Sequence, residues 1–382
     1  MKFIINSQVL TKQVQALNGV IPNSNTVPII NGFHFNLEGN LLTIKATDLE
    51  TTLVTKIALE NADDNGVKNI VIPARVLMDM LKTVDDIPLT FNVNDTTLAV
   101  EISWGGGGSC RLPALAADTF PEFPVVAEPR TAVMSASGLA QAITMTQFAA
   151  SGDELRPQMA GIYVELGAEH TTFVATDAHK LVRYRMLDAH SDEPASFILP
   201  KKPTLLVKNI LVGLKDDCDV TIAYNNVNAS FTFGDFYVVC RLVDGKYPNY
   251  DAAIPKENPN TLLVDRNSFL NVLRRVSIFA NQATQQVRLD ITEREVRLTA
   301  EDIELSSDAH DAIPCSYQGE PMEIGFNARF LKEMVSNLDT EEIRIELSQP
   351  NRAGIIFPVY GDAEDKKNVS ILMLVMPVML AN

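Results

Sequence analysis

Apolar and polar positions follow the same order in three successive parts of the chain. A strand-like run with alternating apolar residues recurs at 41–54, 171–184 and 295–308. Downstream of each copy, an apolar run leads into a stretch with helical spacing, at 69–84, 196–211 and 322–337. A period of two predicts a half-buried strand, and a period near 3.6 predicts an amphipathic helix. The pattern therefore predicts one arrangement of strands and helices, built three times.

The spacing of the copies indicates that the repeating unit is a whole domain. The strand-like runs align three aspartates at intervals of 129 and 125 residues, namely Asp48, Asp177 and Asp302. The helical stretches begin 127 residues apart both times, at Pro73, Pro200 and Asn327. Solenoid repeats are shorter, with periods of about 20–50 residues. Proline-rich junctions at 112–130 and 246–260 lead us to predict domains of 1–125, 130–251 and 252–382.

Each repeat is predicted to be an α+β domain. First helices are expected near 7–20, 135–150 and 265–280, and second helices at 73–83, 200–214 and 327–338. Other runs alternate apolar and polar residues as strands of half-buried sheets do, for example 161–166 and 342–347. Two helices on one face of an antiparallel sheet define the α+β class. Three such domains in series predict a curved or ring-shaped assembly.

Composition is typical of a globular protein. Of the 382 residues, 46% are hydrophobic and 21% are charged. No run reaches the roughly 18–20 apolar residues that a spanning helix needs, and we expect no signal peptide. The four cysteines are far apart and form no Cys-x-x-Cys motif, which argues against a disulfide framework or a zinc site. We therefore predict a cytoplasmic protein with reduced thiols, no cofactor and no membrane partner.

The formal charge of −16 argues against nucleic acid, but its distribution argues the other way. The six predicted helices contain eleven basic and three acidic residues, a net charge of +8, which leaves −24 on the rest of the chain. If the helices line one surface, that surface attracts phosphates without reading sequence. The alternative is that these cations belong to ordinary solvated helix faces. The residues predicted to face DNA are Lys12, Arg75, Lys82, Lys201, Lys202, Lys208, Arg274, Arg275 and Lys332.

Two features could suggest an enzyme, and each has a simpler interpretation. Asp177 and His179 could form a base and its orienting partner, but Asp48 and Asp302 occupy the same repeat position as Asp177, which favours a structural role. The run Gly105–Gly108 lacks the Lys-Ser/Thr of a phosphate-binding loop and is predicted to be a hairpin turn. A scaffold that binds other proteins but not DNA is a third possible function, besides a DNA-binding protein and an enzyme.

Five motifs give the chain a resemblance to a known family over essentially its whole length. They are Thr47-Asp48-Leu49-Glu50 and the segments 175–181, 242–250, 322–327 and 375–380. In this order and spacing they are similar to the bacterial sliding clamp, the beta subunit of DNA polymerase III. The resemblance implies a head-to-tail homodimer, a ring of six domains around duplex DNA, with no enzymatic activity. It also implies partners: the replicative polymerase alpha subunit, an ATP-driven clamp loader, and other polymerases and repair proteins that bind through short linear peptides.

The resemblance also implies two sites. A peptide-binding cleft is expected to comprise Met159, Thr176, Ala178, His179, Lys180, Leu181, Pro248, Asn327, Phe330, Leu374, Met376, Pro377 and Val378. Ile278 and Phe279 are expected at the dimer interface. Among the departures from the family, Ala178, Lys180 and Met379 stand where the family usually or often has Gly, Arg and Arg. These changes leave the cleft in place, and its exact peptide preference does not follow from the resemblance.

The C-terminal segment suggests how such a cleft is built. Residues 371–374 have the apolar character of a buried strand, whereas Pro377 cannot continue a central strand. We therefore predict that the chain leaves the sheet at Pro377. That exit would place Met376 and Val378 beside the loop of His179 and form an apolar groove.

Overall fold

The protein contains six α-helices within residues 1–22, 27–153, 155–361 and 368–380, which the computed structural model describes. They are α1 Ser7–Asn18, α2 Ala74–Leu81, α3 Ala136–Gln147, α4 Lys201–Val212, α5 Arg266–Val276 and α6 Ala328–Asn337. All six lie where the hydrophobic pattern predicts a helix. Their ends differ by a few residues; α2 and α6, for example, start one residue later because Pro73 and Asn327 are their N-caps.

The strands repeat in the same way. The first repeat contains β1 Lys2–Asn6, β2 Gly32–Glu38, β3 Leu41–Thr47, β4 Thr51–Ala58, β5 Ala62–Asp63, β6 Asn69–Pro73, β7 Pro88–Val93, β8 Val100–Trp104, β9 Gly108–Leu112 and β10 Leu115–Ala116. The second contains β11 Arg130–Ser135, β12 Ile162–Leu166, β13 Thr171–Thr176, β14 Lys180–Met186, β15 Ala195–Leu199, β16 Asp219–Tyr224, β17 Asn228–Phe233 and β18 Phe236–Arg241. The third contains β19 Asn260–Asp265, β20 Gln286–Ile291, β21 Glu295–Asp302, β22 Ser307–Pro314, β23 Ser316–Gln318, β24 Met322–Asn327, β25 Glu342–Leu347, β26 Gly354–Val359, β27 Val369–Val375 and β28 Pro377–Val378.

The chain forms two compact units. The first unit, Met1–Ala140 with Lys202–Leu242, holds a five-stranded sheet in the order β5-β1-β7-β8-β9 and a nine-stranded sheet in the order β10-β6-β2-β3-β4-β18-β17-β16-β11. Helices α1 and α2 pack against each other, and α1 buries Leu10, Val14 and Leu17 completely. Burying such side chains stabilises the fold by about 1.5–3 kcal/mol each.

The second unit, Gln141–Lys201 with Val243–Asn382, has the corresponding sheets. Its nine strands run in the order β15-β12-β13-β14-β27-β26-β25-β19-β23, and its five strands in the order β22-β21-β20-β24-β28. Helices α5 and α6 pack together and bury Phe269, Leu273 and Leu331. The strand pairs of both units are antiparallel, as in the predicted α+β class.

The glycine run after Trp104 forms the predicted hairpin turn. Gly105–Gly107 make one 3-10 turn between β8 and β9, which pair with each other. Gly106 and Gly107 have φ values of 84° and 85°, a conformation that glycine adopts without steric conflict. The run is therefore a turn and not a phosphate-binding loop.

Candidate functional site: an apolar cleft beside a capped hairpin turn

The turn between β13 and β14 is held in one shape by its own side chains. The Asp177 carboxylate accepts hydrogen bonds from the backbone N–H groups of His179 and Lys180, both at 2.9 Å. The Thr176 hydroxyl donates to the Lys180 carbonyl at 2.7 Å and accepts from the Ala178 N–H at 3.1 Å. Ala178 has a φ of 74°, where a Cβ atom is strained and glycine is favoured. The tightly bonded turn leaves Ala178 and His179 exposed.

The same aspartate bonding occurs in all three repeats. The Asp48 carboxylate accepts from the N–H groups of Glu50 and Thr51 at 3.1 and 2.7 Å. The Asp302 carboxylate accepts from those of Glu304 and Leu305 at 3.0 and 3.2 Å. Each carboxylate is engaged by backbone amides, which is the local bonding that makes aspartate frequent in turns. This supports the structural interpretation of Asp177.

Lys180 ties this turn to helix α6. Its side chain is 7% exposed, and its Nζ lies 2.6 Å from a Glu333 carboxylate oxygen and 3.5 Å from an Asp177 carboxylate oxygen. The same Nζ lies 4.8 Å from the centre of the Phe330 ring, and the His179 ring lies nearly parallel to that ring at 6.0 Å. Lys180 is therefore a buried, paired cation, while His179 and Phe330 form an aromatic wall.

Asn327 fixes the start of α6 and with it the position of Phe330. Its side-chain oxygen accepts from the N–H groups of Arg329 and Phe330 at 3.0 and 3.3 Å, the usual bonding of an N-cap. Its amide also donates to the Thr284 carbonyl at 3.1 Å. Asn327 therefore acts on the cleft through the helix that carries the aromatic wall.

Removing the partner of Lys180 should destabilise the protein measurably. In Glu333→Ala the Lys180 ammonium keeps only the longer contact to Asp177, so we expect the free energy of unfolding to fall by about 1–3 kcal/mol. Arg329→Ala is the matched control, because it removes an exposed partner of the same carboxylate, 3.2 Å away. Urea unfolding should show a change within about 0.5 kcal/mol for that control. Equal losses in the two variants would contradict the role given to Lys180.

The C-terminal segment leaves one sheet, as predicted, and then joins another, which the sequence does not predict. Strand β27 pairs with β14 so that Leu374 faces Leu181, and the Met376 N–H then donates to the His179 carbonyl at 2.8 Å. The next two residues, Pro377 and Val378, form β28 and pair with β24 in the other sheet. Met376 lies at the crossing and is 40% exposed. The crossing therefore places an accessible apolar side chain beside the turn of His179.

Strand β28 can pair with β24 because Gly325 of β24 has no side chain at the point of contact. A Cβ atom on Gly325 would lie 2.6 Å from the Val378 carbonyl oxygen and 2.8 Å from the Leu380 side chain. Contacts this short do not occur, so a larger residue would push β28 away. The position of the terminal segment thus depends on Gly325.

Two of the predicted cleft residues belong to a buried apolar cluster. Leu181 and Leu374 belong to one cluster with Val174, Tyr247 and Tyr250. Burial raises the pKa of both tyrosines, so their hydroxyls stay neutral at physiological pH. Pro248 follows Tyr247 and is exposed. The residues predicted for the cleft therefore include two leucines buried with tyrosines, and His179 and Met376, which are exposed and lie close to these leucines in the chain.

The contacts described above do not include every residue predicted for the cleft. Met159 is buried in the 3-10 turn Pro157–Met159, and its backbone bonds to Ser151 and Arg156. Sequence reasoning missed Glu333, Tyr247 and Tyr250. Glu333 lies one turn after Phe330 on the predicted helix, and the tyrosines flank Pro248, but neither pattern identifies a partner in space.

The structure divides the nine predicted DNA-facing cations into two groups. Four have a polar partner: Lys82 with Asp79 at 3.0 Å, Lys202 with Asp48 at 2.5 Å, Arg275 with Asp311 at 2.5 Å, and Lys332 with the Ser277 hydroxyl at 2.9 Å. Within the described residues, the other five have no carboxylate partner: Lys12, Arg75, Lys201, Lys208 and Arg274. A count of helical charges therefore overstates the number of cations that are free to bind phosphate.

Ile278 and Phe279 are accessible, as their assignment to an interface requires. Helix α5 ends at Val276, and Ser277–Phe279 form a 3-10 turn in which the two side chains are 77% and 40% exposed. Ile303 and Leu305, after strand β21, are also exposed. The turn of Ile278 and Phe279 itself contacts strands β21 and β22.

The described ranges contain neither a metal-binding cluster nor a membrane-spanning helix. Among those residues no group of three His, Cys, Asp or Glu side chains is placed to hold a metal ion. Within the same ranges, no α-helix has the length and apolar character required to cross a bilayer.

Comparison with known proteins agrees with the three repeats. Three family models match in order: the DNA polymerase III beta subunit N-terminal domain at 1–124, its central domain at 133–249 and its C-terminal domain at 251–378. The beta sliding clamp of Synechococcus elongatus is 28% identical, with all of each chain covered. Solved DnaN sliding clamps from Pseudomonas aeruginosa and Bartonella birtlesii, both bound to griselimycin, match over all of each chain with TM-scores of 0.91 and 0.89 and identities of 27% and 28%.

The three repeated domains, the antiparallel sheets and these matches define a DNA sliding clamp. More narrowly, the chain belongs to the family of the DNA polymerase III beta subunit.

Proposed function

We propose that two copies of this chain close head to tail into a ring around duplex DNA and hold the replicative polymerase on it. The observation that carries this proposal is the segregation of charge by element. The six helices contain ten basic and two acidic residues, a net +8 in a chain of net −16, so the remainder has −24. A positive helical surface attracts the DNA backbone, and acidic surfaces elsewhere repel it.

The DNA contact is proposed to be electrostatic and independent of sequence. Lys12, Lys201 and Lys208 lie on α1 and α4 and have no carboxylate partner within the described residues. Lysine heads in water attract phosphates at long range without reading base edges. A clamp that slides requires this property, because a base-specific contact would stop it at one site.

Neutralising these three lysines should weaken DNA association and its dependence on salt. For Lys12→Gln with Lys201→Gln and Lys208→Gln, we expect the slope of log affinity against log salt to fall by about 0.9 for each lost phosphate contact. The matched control changes Lys56, Lys246 and Lys256, which lie outside the helices, to glutamine. Fluorescence anisotropy with a short duplex measures both slopes. An equal loss in the control would mean that only total charge matters.

Ring closure is proposed to use two sheet edges that have no partner strand within the described ranges. Successive repeats join where β4 pairs with β18 and where β14 pairs with β27. The corresponding strands of the terminal repeats are β22 and β9, which are edge strands of their five-stranded sheets. An exposed edge is ready to pair with another chain. Pairing of β22 with β9 of a second copy repeats the same join and closes a two-fold assembly.

Partners are proposed to bind through the cleft of His179, Phe330, Leu374 and Met376. Its apolar floor suits short linear peptides with apolar anchors, and exposed methionines adapt to several sequences. We propose as partners the replicative polymerase alpha subunit, the clamp loader, and other polymerases and repair proteins. Griselimycin, which is bound to two of the related clamps, is expected to bind here too.

The remaining assignments are consequences of this function. We propose that the chain catalyses no reaction itself, since Asp177 is engaged by its own turn. We place the three clamp domains at 1–125, 130–251 and 252–382, and the protein in the cytoplasm with the DNA it serves.

A further inference from the structure

A cavity of about 550 Å³ lies on the first unit, beneath the segment that comes after β10. Its lining includes His34, Lys45, Phe120 and Phe123, with Asp118 and Glu122 also part of it. The volume falls in the range of roughly 300–1,000 Å³ that is usual for ligand pockets. None of these residues belongs to the cleft of the second unit, so a ligand bound in this cavity would be independent of the function proposed for that cleft.

The internal repeat explains where this cavity comes from. The segment Phe120-Pro121-Glu122-Phe123 recurs as Tyr247-Pro248-Asn249-Tyr250. Likewise, His34 pairs with Lys45 across β2 and β3 as Tyr163 pairs with Val174 across β12 and β13. The two units therefore build the same feature, a proline-containing segment laid over the outer face of a sheet, from different side chains.

In the second unit this segment is tied down. Tyr163 and Tyr247 stack with ring centres 4.6 Å apart and an angle of 4° between the ring planes. The Tyr250 hydroxyl donates to the Glu165 carboxylate. Both tyrosines of the segment are buried as a result. The space beneath the segment is occupied by the protein's own side chains.

In the first unit, the contacts that hold the corresponding segment are weaker. His34 stacks on Phe120 at 4.9 Å, but a histidine ring is smaller than the tyrosine that takes its place in the second unit. Phe123 has no hydroxyl, and Asn36, at the position of Glu165, donates to Glu38 instead. Phe120 and Phe123 are only half-buried. The substitutions leave room for a ligand where the second unit has none.

Within the described residues, two polar groups in the floor have no hydrogen-bond or salt-bridge partner. His34 is 9% exposed, and its Nδ1 atom makes no hydrogen bond within the described part of the chain. A buried polar atom without a partner costs about 1–3 kcal/mol. Burial and the nearby Lys45 lower the pKa of His34 to about 4, so the ring is neutral at physiological pH and carries one N–H. Lys45 lies 5.0 Å above the Phe123 ring and, among the described residues, has no carboxylate partner.

We propose that this cavity is a second peptide-binding site, which takes a partner segment that presents a carboxylate to Lys45 and a basic side chain to Asp118 and Glu122. The carboxylate pairs with the Lys45 ammonium, and its negative charge favours the protonated form of the nearby His34 ring. Asp118 and Glu122 are exposed and disfavour a segment that is acidic throughout. The partner segment is therefore of mixed charge, unlike the apolar peptides proposed for the cleft.

Binding can be followed on the full-length protein through His34 itself. The probe is a pooled set of acetyl-Lys-Xaa-Asp-Xaa-amide peptides in which Xaa is Leu, Phe or Val, and the matched pool has Asn in place of Asp. In protein labelled with ¹³C at the histidine Cε1 atom, the aspartate pool should shift the His34 resonance and raise its pKa. We expect affinity at least about tenfold higher than for the asparagine pool, since the carboxylate bonds are charge-assisted.

Three variants distinguish binding in this cavity from non-specific attraction between the peptides and the charged protein surface. Lys45→Met should remove the preference for aspartate, and His34→Phe should abolish binding by filling the cavity while keeping the stack on Phe120. Lys56→Met removes an exposed lysine of the neighbouring strand and should leave binding unchanged. The proposal is overturned if neither pool moves the His34 resonance, or if Lys56→Met weakens binding as much as Lys45→Met.

Discussion

Replacing Ile278 and Phe279 together by alanine should convert a dimer of twice 42.0 kDa into a folded monomer of 42.0 kDa. The two side chains are exposed in the single chain, so their loss removes little from its own core. The turn that carries them packs against β21 and β22, and β22 is the free edge proposed to pair with a second copy. A few apolar anchors usually dominate such an interface, at about 2 kcal/mol or more each.

Light scattering coupled to size-exclusion chromatography measures this change. The control is Leu155→Ala with Val212→Ala, which also removes two exposed apolar side chains but leaves the region of β22 untouched. We expect the control to remain a dimer and both proteins to melt cooperatively. A double variant at Ile278 and Phe279 that stays dimeric at micromolar concentration would place the interface elsewhere.

Phe330→Ala combined with Met376→Ser should weaken griselimycin binding by about thirtyfold or more. The first change removes the ring that His179 and Lys180 contact, and the second makes the accessible side chain at the sheet crossing polar. Each anchor of a central binding pocket commonly contributes about 2 kcal/mol or more, and a tenfold loss corresponds to about 1.4 kcal/mol.

Isothermal titration calorimetry gives the affinities, and two further variants make the result interpretable. Met376→Ser alone changes an exposed side chain, so it should reduce affinity without altering stability. Met322→Ser lies at the far end of β24, opposite Ile291, and should bind normally. Unchanged binding by the double variant would show that the ligand occupies another site.

Much of the architecture can be predicted from local patterns in the sequence. The helical stripe of Phe269, Val272 and Leu273 defines a buried face because a helix brings these positions together. Pro377 predicts the departure from β27 because proline cannot donate a ladder hydrogen bond. In such cases the position of a residue depends on residues nearby in the sequence, so the spacing of residue types is enough to predict it.

Partners that are distant in sequence could not be predicted. Lys180 and Glu333 are 153 residues apart, and Lys202 and Asp48 are 154 residues apart. For the same reason, the sequence does not predict that β4 pairs with β18 or that β14 pairs with β27. These two pairings merge strands of successive repeats into nine-stranded sheets. Periodicity shows which face of an element is buried, whereas it does not show which charged group or strand edge that face meets. The sequence pattern therefore assigns Lys202 to DNA, although its ammonium is paired with Asp48.

Retention on circular DNA reports encirclement directly. The protein, loaded onto a nicked circular plasmid by the ATP-driven loader of its own source, should remain with the DNA through gel filtration at a salt concentration that removes electrostatic binding. Cutting the plasmid once should release it, because a closed ring slides off a free end. Equal retention on circular and linear DNA, or loss from both at that salt concentration, would contradict a clamp that surrounds the duplex.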